Sequence, residues 1–213
     1  MKFSKENCLL YAVTDRSWLR GQTLAAQVEA ALRGGVTMVQ LREKDLDEES
    51  FEREAREIQS LCRSFHVPLL INDNVELARR IDADGVHVGQ NDLGPKEVRK
   101  ILGPDKIIGV TAKTVEQARA AQAAGADYLG SGAVFGTSTK KDAVRMSLDR
   151  FEEICESVSI PVVAIGGVTG DNMRQLAGRR MSGFAIVSGI FAAEDIEAQT
   201  RELRALAEEL CAQ

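Results

Sequence analysis

The chain has 213 residues, 44% of them hydrophobic, 28% charged and 5% aromatic, with a formal net charge of −5. That length accommodates one large domain or two small ones and buries a substantial core. The acidic balance excludes a general pull toward nucleic acid or anionic lipid, and the scarcity of aromatics argues against a single-strand binder that stacks bases.

A beat repeats along the chain: an apolar run, a polar turn, a helical stretch. Residues 8–14 read as the first strand, and 23–33 as an Ala-rich helix stopped by Gly34 and Gly35. Residues 36–42 are the second strand. In 47–65, Phe51, Ala55, Ile58 and Cys62 are spaced three or four apart behind an acidic first turn, which predicts an amphipathic helix. Strands follow at 67–72, 85–88, 107–111, 128–130, 160–165 and 183–187. Helices are expected over 74–81, 95–102, 114–124, 148–157, 171–177 and 196–211. Eight strands alternating with eight helices, with no Pro- or Ser-rich linker, demand parallel pairing. The complete count of eight favours a single-domain (β/α)₈ TIM barrel over residues 1–213 against an open doubly wound sheet, and no GxGxxG opens the first helix.

Four scattered cysteines without a CxxC pair predict reduced thiols. The start of the chain has no apolar signal core, and no run approaches the ~20 residues of a membrane span. A cytoplasmic protein without membrane or nucleic-acid partners is expected; its oligomeric state is not legible here.

Chemistry in a barrel sits at the C-terminal ends of the strands, so the residues following each strand define the candidate site. On the second strand, Gln40, Arg42 and Lys44 share one face by period-two alternation, while Leu41 and Glu43 point the other way. An amide, a guanidinium and an ammonium within ~13 Å are suited to an anion with many oxygens. Asp73 and Asp92 end the adjacent third and fourth strands. Hard oxygen ligands without a His or Cys cluster suit Mg²⁺, the competing reading of each being a helix N-cap. Gly166-Gly167 and Ser188-Gly189 follow strands seven and eight, where backbone N–H groups often cradle a phosphate; plain turns are the alternative. The long segment 131–146 carries Thr137, Ser138, Thr139 and Lys140 and is read as a lid or a surface loop. His66 precedes a strand, and His87 is read as core rather than catalyst. Two anion sites and no histidine base point to pyrophosphate as a leaving group, with charge stabilisation carrying the rate.

Six segments in order, QLREK at 40–44, IND at 71–73, GVHVGQND at 85–92, TSTK at 137–140, AIGGV at 164–168 and VS at 187–188, resemble the thiamine-phosphate synthase family. The resemblance implies a TIM barrel that condenses a hydroxymethylpyrimidine pyrophosphate with a thiazole phosphate, giving thiamine phosphate and pyrophosphate with Mg²⁺. It implies that Gln40, Leu41, Arg42, Glu43, Lys44, Asn72, Thr111 and Lys140 bind the pyrimidine pyrophosphate. Arg42, Lys140 and Thr111 would be catalytic among them. Asp73 and Asp92 would hold Mg²⁺, and Thr137, Ser138, Thr139, Gly167, Val187 and Ser188 the thiazole phosphate. The family mechanism is dissociative. Thr111 stands where the family usually has Ser, Gly136 where it has Pro, and Asn91 where an acid is common. Two alternatives are a thiazole tautomerase, which leans on a His where this chain has Lys113, and a non-catalytic barrel that senses thiamine precursors.

Overall fold

Each apolar run of the sequence forms a strand, most of them shorter than the run itself. In the computed structural model, which describes residues 3–136 and 145–211, the strands are β1 Leu10–Val13, β2 Met38–Leu41, β3 Leu69–Asn72, β4 Gly85–Val88, β5 Ile107–Thr111, β6 Tyr128–Ser131, β7 Val162–Ile165 and β8 Gly183–Ile186. All pair in parallel, each with its sequence neighbours, and β8 returns to β1 to close the barrel. The open sheet is thereby excluded.

The apolar residues of the strands divide by parity. Outward side chains such as Leu10, Val39, Leu41, Ile71, Val86, Ile108, Leu129 and Phe184 join the helices in one buried shell. Inward ones, among them Tyr11, Met38, Leu70, Ile107, Tyr128, Val163 and Ala185, fill the barrel itself. Both faces are dry, which is why the strands read as continuous apolar runs.

The covering helices are α1 Leu24–Gly34, α2 Glu48–Ser64, α3 Val75–Arg80, α4 Pro95–Leu102, α5 Val115–Ala123, α6 Leu148–Glu156, α7 Ser188–Phe191 and α8 Ile196–Cys211. Their starts follow capping chemistry. Thr23, Asp47, Asn74, Thr114 and Ser147 each accept a backbone N–H from the first turn of the helix that follows.

Two expectations change. The helix expected over 171–177 is a single 3₁₀ turn, Met173–Leu176, ended at Ala177 and Gly178. Ser188, read as part of a glycine turn, begins the short helix α7, so an eighth helix is present in a place the periodicity did not mark. No helix among the described residues is long and apolar enough to cross a membrane.

Candidate active site

The last inward-facing residues of the strands form the floor of a cavity of about 150 Å³. Gln40, Arg42, Asn72, His87 and Thr111 line one side, and Gly166, Gly167, Val187 and Ser188 the other. Residues from β2, β3 and β5 thus meet residues that follow β7 and β8, although more than 50 positions separate Thr111 from Gly166 in the chain.

The polar side is built on β2. Gln40 is almost fully buried inside the barrel. Thr14, wholly buried at the end of β1, accepts the Arg42 backbone N–H on its hydroxyl at 3.0 Å, and its own N–H donates to the Gln40 carbonyl at 3.0 Å. The Arg42 guanidinium lies 3.7 Å from the Asp15 carboxylate, aimed but not saturated. Among the described residues its other donors have no partner, which leaves them to an anion.

Of the residues the family resemblance placed with the pyrophosphate, Leu41, Glu43 and Lys44 do not line the cavity, and Lys44 is exposed beside it. Leu41 is fully buried in the shell between strands and helices. Glu43 accepts from Arg16, which also reaches Glu54 at 2.6 Å, and its Oε1 accepts the backbone N–H groups of Lys44 at 2.8 Å and Asp45 at 3.1 Å. Burial pushes the Glu43 carboxyl up, but the Asp45 N–H, Arg16 and the Lys44 N–H outweigh it and hold it below the usual range. Glu43 therefore braces the turn that carries Arg42 and Lys44. Glu43→Gln keeps its volume and removes its charge. It is expected to lower kcat/KM about tenfold, the scale of one charge-assisted hydrogen bond. Steady-state kinetics at fixed ionic strength check this, and unchanged turnover would mean that the brace does not support the site.

Beside the cavity the two aspartates meet. Asp73 has the unusual φ of +59°, and the cap of α3 is made by Asn74 rather than by Asp73. The N-cap reading of Asp73 is thereby displaced, and its carboxylate is directed to Asp92. Its backbone N–H donates to the His87 carbonyl at 2.9 Å, while Asp92 accepts the Gly89 N–H at 2.7 Å. Burial raises the Asp73 carboxyl, the neighbouring Asp92 charge and hydrogen bond raise it further, and Asn72 and Lys44 offset part of the shift. Two facing carboxylates, one pushed toward protonation, are the charge arrangement a divalent cation relieves. No group of three or more metal-type side chains occurs among the described residues, so a cation held by this pair would take most of its oxygens from water and ligand.

The opposite side is shaped by close backbone approach. Gly167 has a φ of +69°, and a Cβ there would come within 2.2 Å of the Gly136 carbonyl oxygen. The Asn172 amide donates to the Gly167 carbonyl at 2.8 Å and pins this turn. Ser188 opens α7, whose first N–H groups have no partner within the helix. Thr137, Ser138, Thr139 and Lys140 lie outside the described residues.

Lys113, at the position where a tautomerase would carry His, lines the cavity. His87, read from the sequence as core, is buried as expected and also lines the cavity. The strand register is the signal that finds it, since His87 pairs with Asn72 and shares its inward parity.

The profile of the TMP-TENI family, described as thiamine monophosphate synthase, matches residues 10–190. The chain belongs to the thiamine monophosphate synthase family. It is 45% identical to a thiamine-phosphate synthase of Clostridium tetani over 92% of this chain and 94% of that one. It is 44% identical to thiamine-phosphate synthase 2 of Streptococcus pneumoniae over 93% and 94%. The structure of a thiamine phosphate pyrophosphorylase from Pyrococcus furiosus superposes with a TM-score of 0.89 at 36% identity, covering 97% of this chain and 98% of that one. KGPDC from Streptococcus mutans, with a TM-score of 0.69 at 16% identity over 94% of this chain and 98% of that one, shares the fold alone. Membership of the synthase family agrees with the six segments that carried the resemblance.

Proposed function

We propose that this chain condenses a hydroxymethylpyrimidine pyrophosphate with a thiazole phosphate, releasing pyrophosphate and forming thiamine phosphate. The observation that carries this reading is one cavity with two differently built walls, in a chain of the thiamine monophosphate synthase family. Arg42, Asn72 and Thr111 supply donors on one wall, and the glycine turn with Ser188 supplies small residues and backbone donors on the other.

In this reading the CH₂–O bond of the pyrimidine substrate breaks first and its electron pair leaves with pyrophosphate. The charge growing on the leaving oxygens is met by Arg42 and Lys44, and by the hydroxyl of Thr111. Lys140 joins them on the strength of the sequence alone. The thiazole nitrogen then bonds to the pyrimidine-methyl cation, so no side chain has to abstract a proton for the bond to form. Gly167, Val187 and Ser188, with Thr137, Ser138 and Thr139, hold the thiazole phosphate so that the nitrogen faces that carbon. Asp73 and Asp92 fit Mg²⁺ by charge and by mutual repulsion, and the ion would neutralise pyrophosphate oxygens.

The test is pyrophosphate release by the purified protein given both precursors and Mg²⁺, against controls lacking thiazole phosphate or containing EDTA. Release together with thiamine phosphate, lost in EDTA, is expected. No release from folded protein would turn the reading toward the tautomerase or the precursor sensor.

A further inference from the structure

Five polar side chains run in series through the interior of the barrel. The Gln40 amide N–H on β2 donates to the Tyr11 hydroxyl on β1 at 2.5 Å. The Tyr11 and Tyr128 hydroxyls are 2.8 Å apart, Tyr128 is 2.8 Å from His87 Nδ1, and His87 Nε2 is 3.0 Å from the Thr111 hydroxyl. Both ends of the series, Gln40 and Thr111, line the cavity. Both tyrosine side chains are fully buried.

Packing alone does not call for this arrangement. Phe and Leu would fill the same space without burying hydroxyls that are costly when unpaired. The sheet is instead cleared to admit it. A Cβ on Gly109 would stand 2.2 Å from the Tyr128 ring, and one on Gly130 would stand 3.1 Å from His87 Cε1.

The series also has a direction. One assignment gives every proton in the series an acceptor: Tyr11, which accepts from Gln40, donates to Tyr128, and Tyr128 donates to His87 Nδ1. Nδ1 is then the bare nitrogen of a neutral imidazole, and the ring proton sits on Nε2, where it donates to Thr111. Burial keeps both phenols protonated, as the series requires. With its oxygen accepting from His87, the Thr111 hydroxyl has its own proton left for the cavity.

We propose that Tyr11 and Tyr128 are positioning residues which, acting through His87, hold the Thr111 hydroxyl as a donor toward the leaving pyrophosphate. The positioning role rests on the synthase reading, whereas the direction of the series does not.

The experiment is ¹⁵N NMR of histidine-labelled, ligand-free protein at pH 8, paired with steady-state kinetics. The chain has only two histidines, and His66→Asn, in a left-handed conformation that Asn tolerates, assigns the signals. The parent is expected to show His87 protonated on Nε2 and bare on Nδ1. Tyr128→Phe is expected to spread the proton over both nitrogens and to lower kcat/KM for the pyrimidine substrate about tenfold, the scale of one hydrogen bond. The KM for thiazole phosphate should stay within about twofold, since that pocket is on the opposite wall. Thr111→Val, at the cavity surface, should reproduce the kinetic loss while leaving Nδ1 bare. A parent protonated on Nδ1, or a Tyr128→Phe protein with the parent's nitrogen pattern and kinetics, overturns the proposal. Because the nitrogen pattern is read without substrate, a parent that releases no pyrophosphate marks failure of the synthase reading separately.

Discussion

Replacing Arg42 with alanine is expected to lower kcat/KM for the pyrimidine substrate by about 10²- to 10³-fold, or roughly 3–4 kcal/mol of transition-state stabilisation. The size follows from where the charge sits. Arg42 lines a cavity set into the barrel end, where its side chain is mostly shielded, so its charge acts at a lower effective dielectric than in bulk water. Its backbone is tied to the wholly buried Thr14, and its guanidinium is only loosely engaged by Asp15 at 3.7 Å. A guanidinium held this way is preorganised for an anion rather than consumed by a structural ion pair. Arg42→Lys keeps the charge and loses the fork, so it should recover only part of the activity. Single-turnover pyrophosphate release measures both variants. If Arg42→Ala retains the parent rate, the leaving group is not bound on this wall.

Replacing both aspartates, Asp73→Asn with Asp92→Asn, is expected to abolish Mg²⁺-dependent turnover and to remove the Asp73 contribution to the pH dependence of stability in the metal-free protein. Asp73 is raised above its ordinary value of 3.8, first by burial and then by Asp92. The folded, metal-free protein therefore keeps a proton that the unfolded chain has released. Stability falls as pH rises from that ordinary value through the raised one, and the cost persists above it. The double variant lacks this cost and should be no less stable than the parent at neutral pH in EDTA. Adding Mg²⁺ should raise the melting temperature of the parent and leave that of the variant unmoved. Thermal melts with and without Mg²⁺ read this independently of turnover. A variant that still gains stability from Mg²⁺ would place the cation elsewhere.

Much of this was legible in the sequence, for reasons specific to parallel barrels. Strands buried on both faces read as apolar runs, so their number and order were visible even where their ends were not. The run at 160–165 yields a strand only from Val162, because pairing with β6 begins there and Pro161 before it has no N–H to donate. Helix α7 escaped because four residues show no periodicity. Gln40, Arg42, Asn72 and Thr111, which line the cavity, stood out because polar residues at the ends of apolar strands are conspicuous. Leu41 and Glu43 belong to the same QLREK segment, and their side chains do not line the cavity, as strand parity had already indicated. Asp73 was ambiguous until Asn74 took the cap.

The sequence by itself determined the alternation of eight strands with helices, the polar strand ends, and the family to which those motifs point. These are local properties: apolar period, turn chemistry and short motifs are written in neighbouring residues. Only the tertiary structure decided that Asp73 faces Asp92, that Glu43 pairs with Arg16 and braces its turn, and that Gly167 lies against Gly136. It alone joined Gln40 to Thr111 through Tyr11, Tyr128 and His87. Those five residues come from five different strands, and nothing in their separate sequence neighbourhoods encodes that they meet. Closure of the barrel sets the register, and the register sets which inward side chains share a layer.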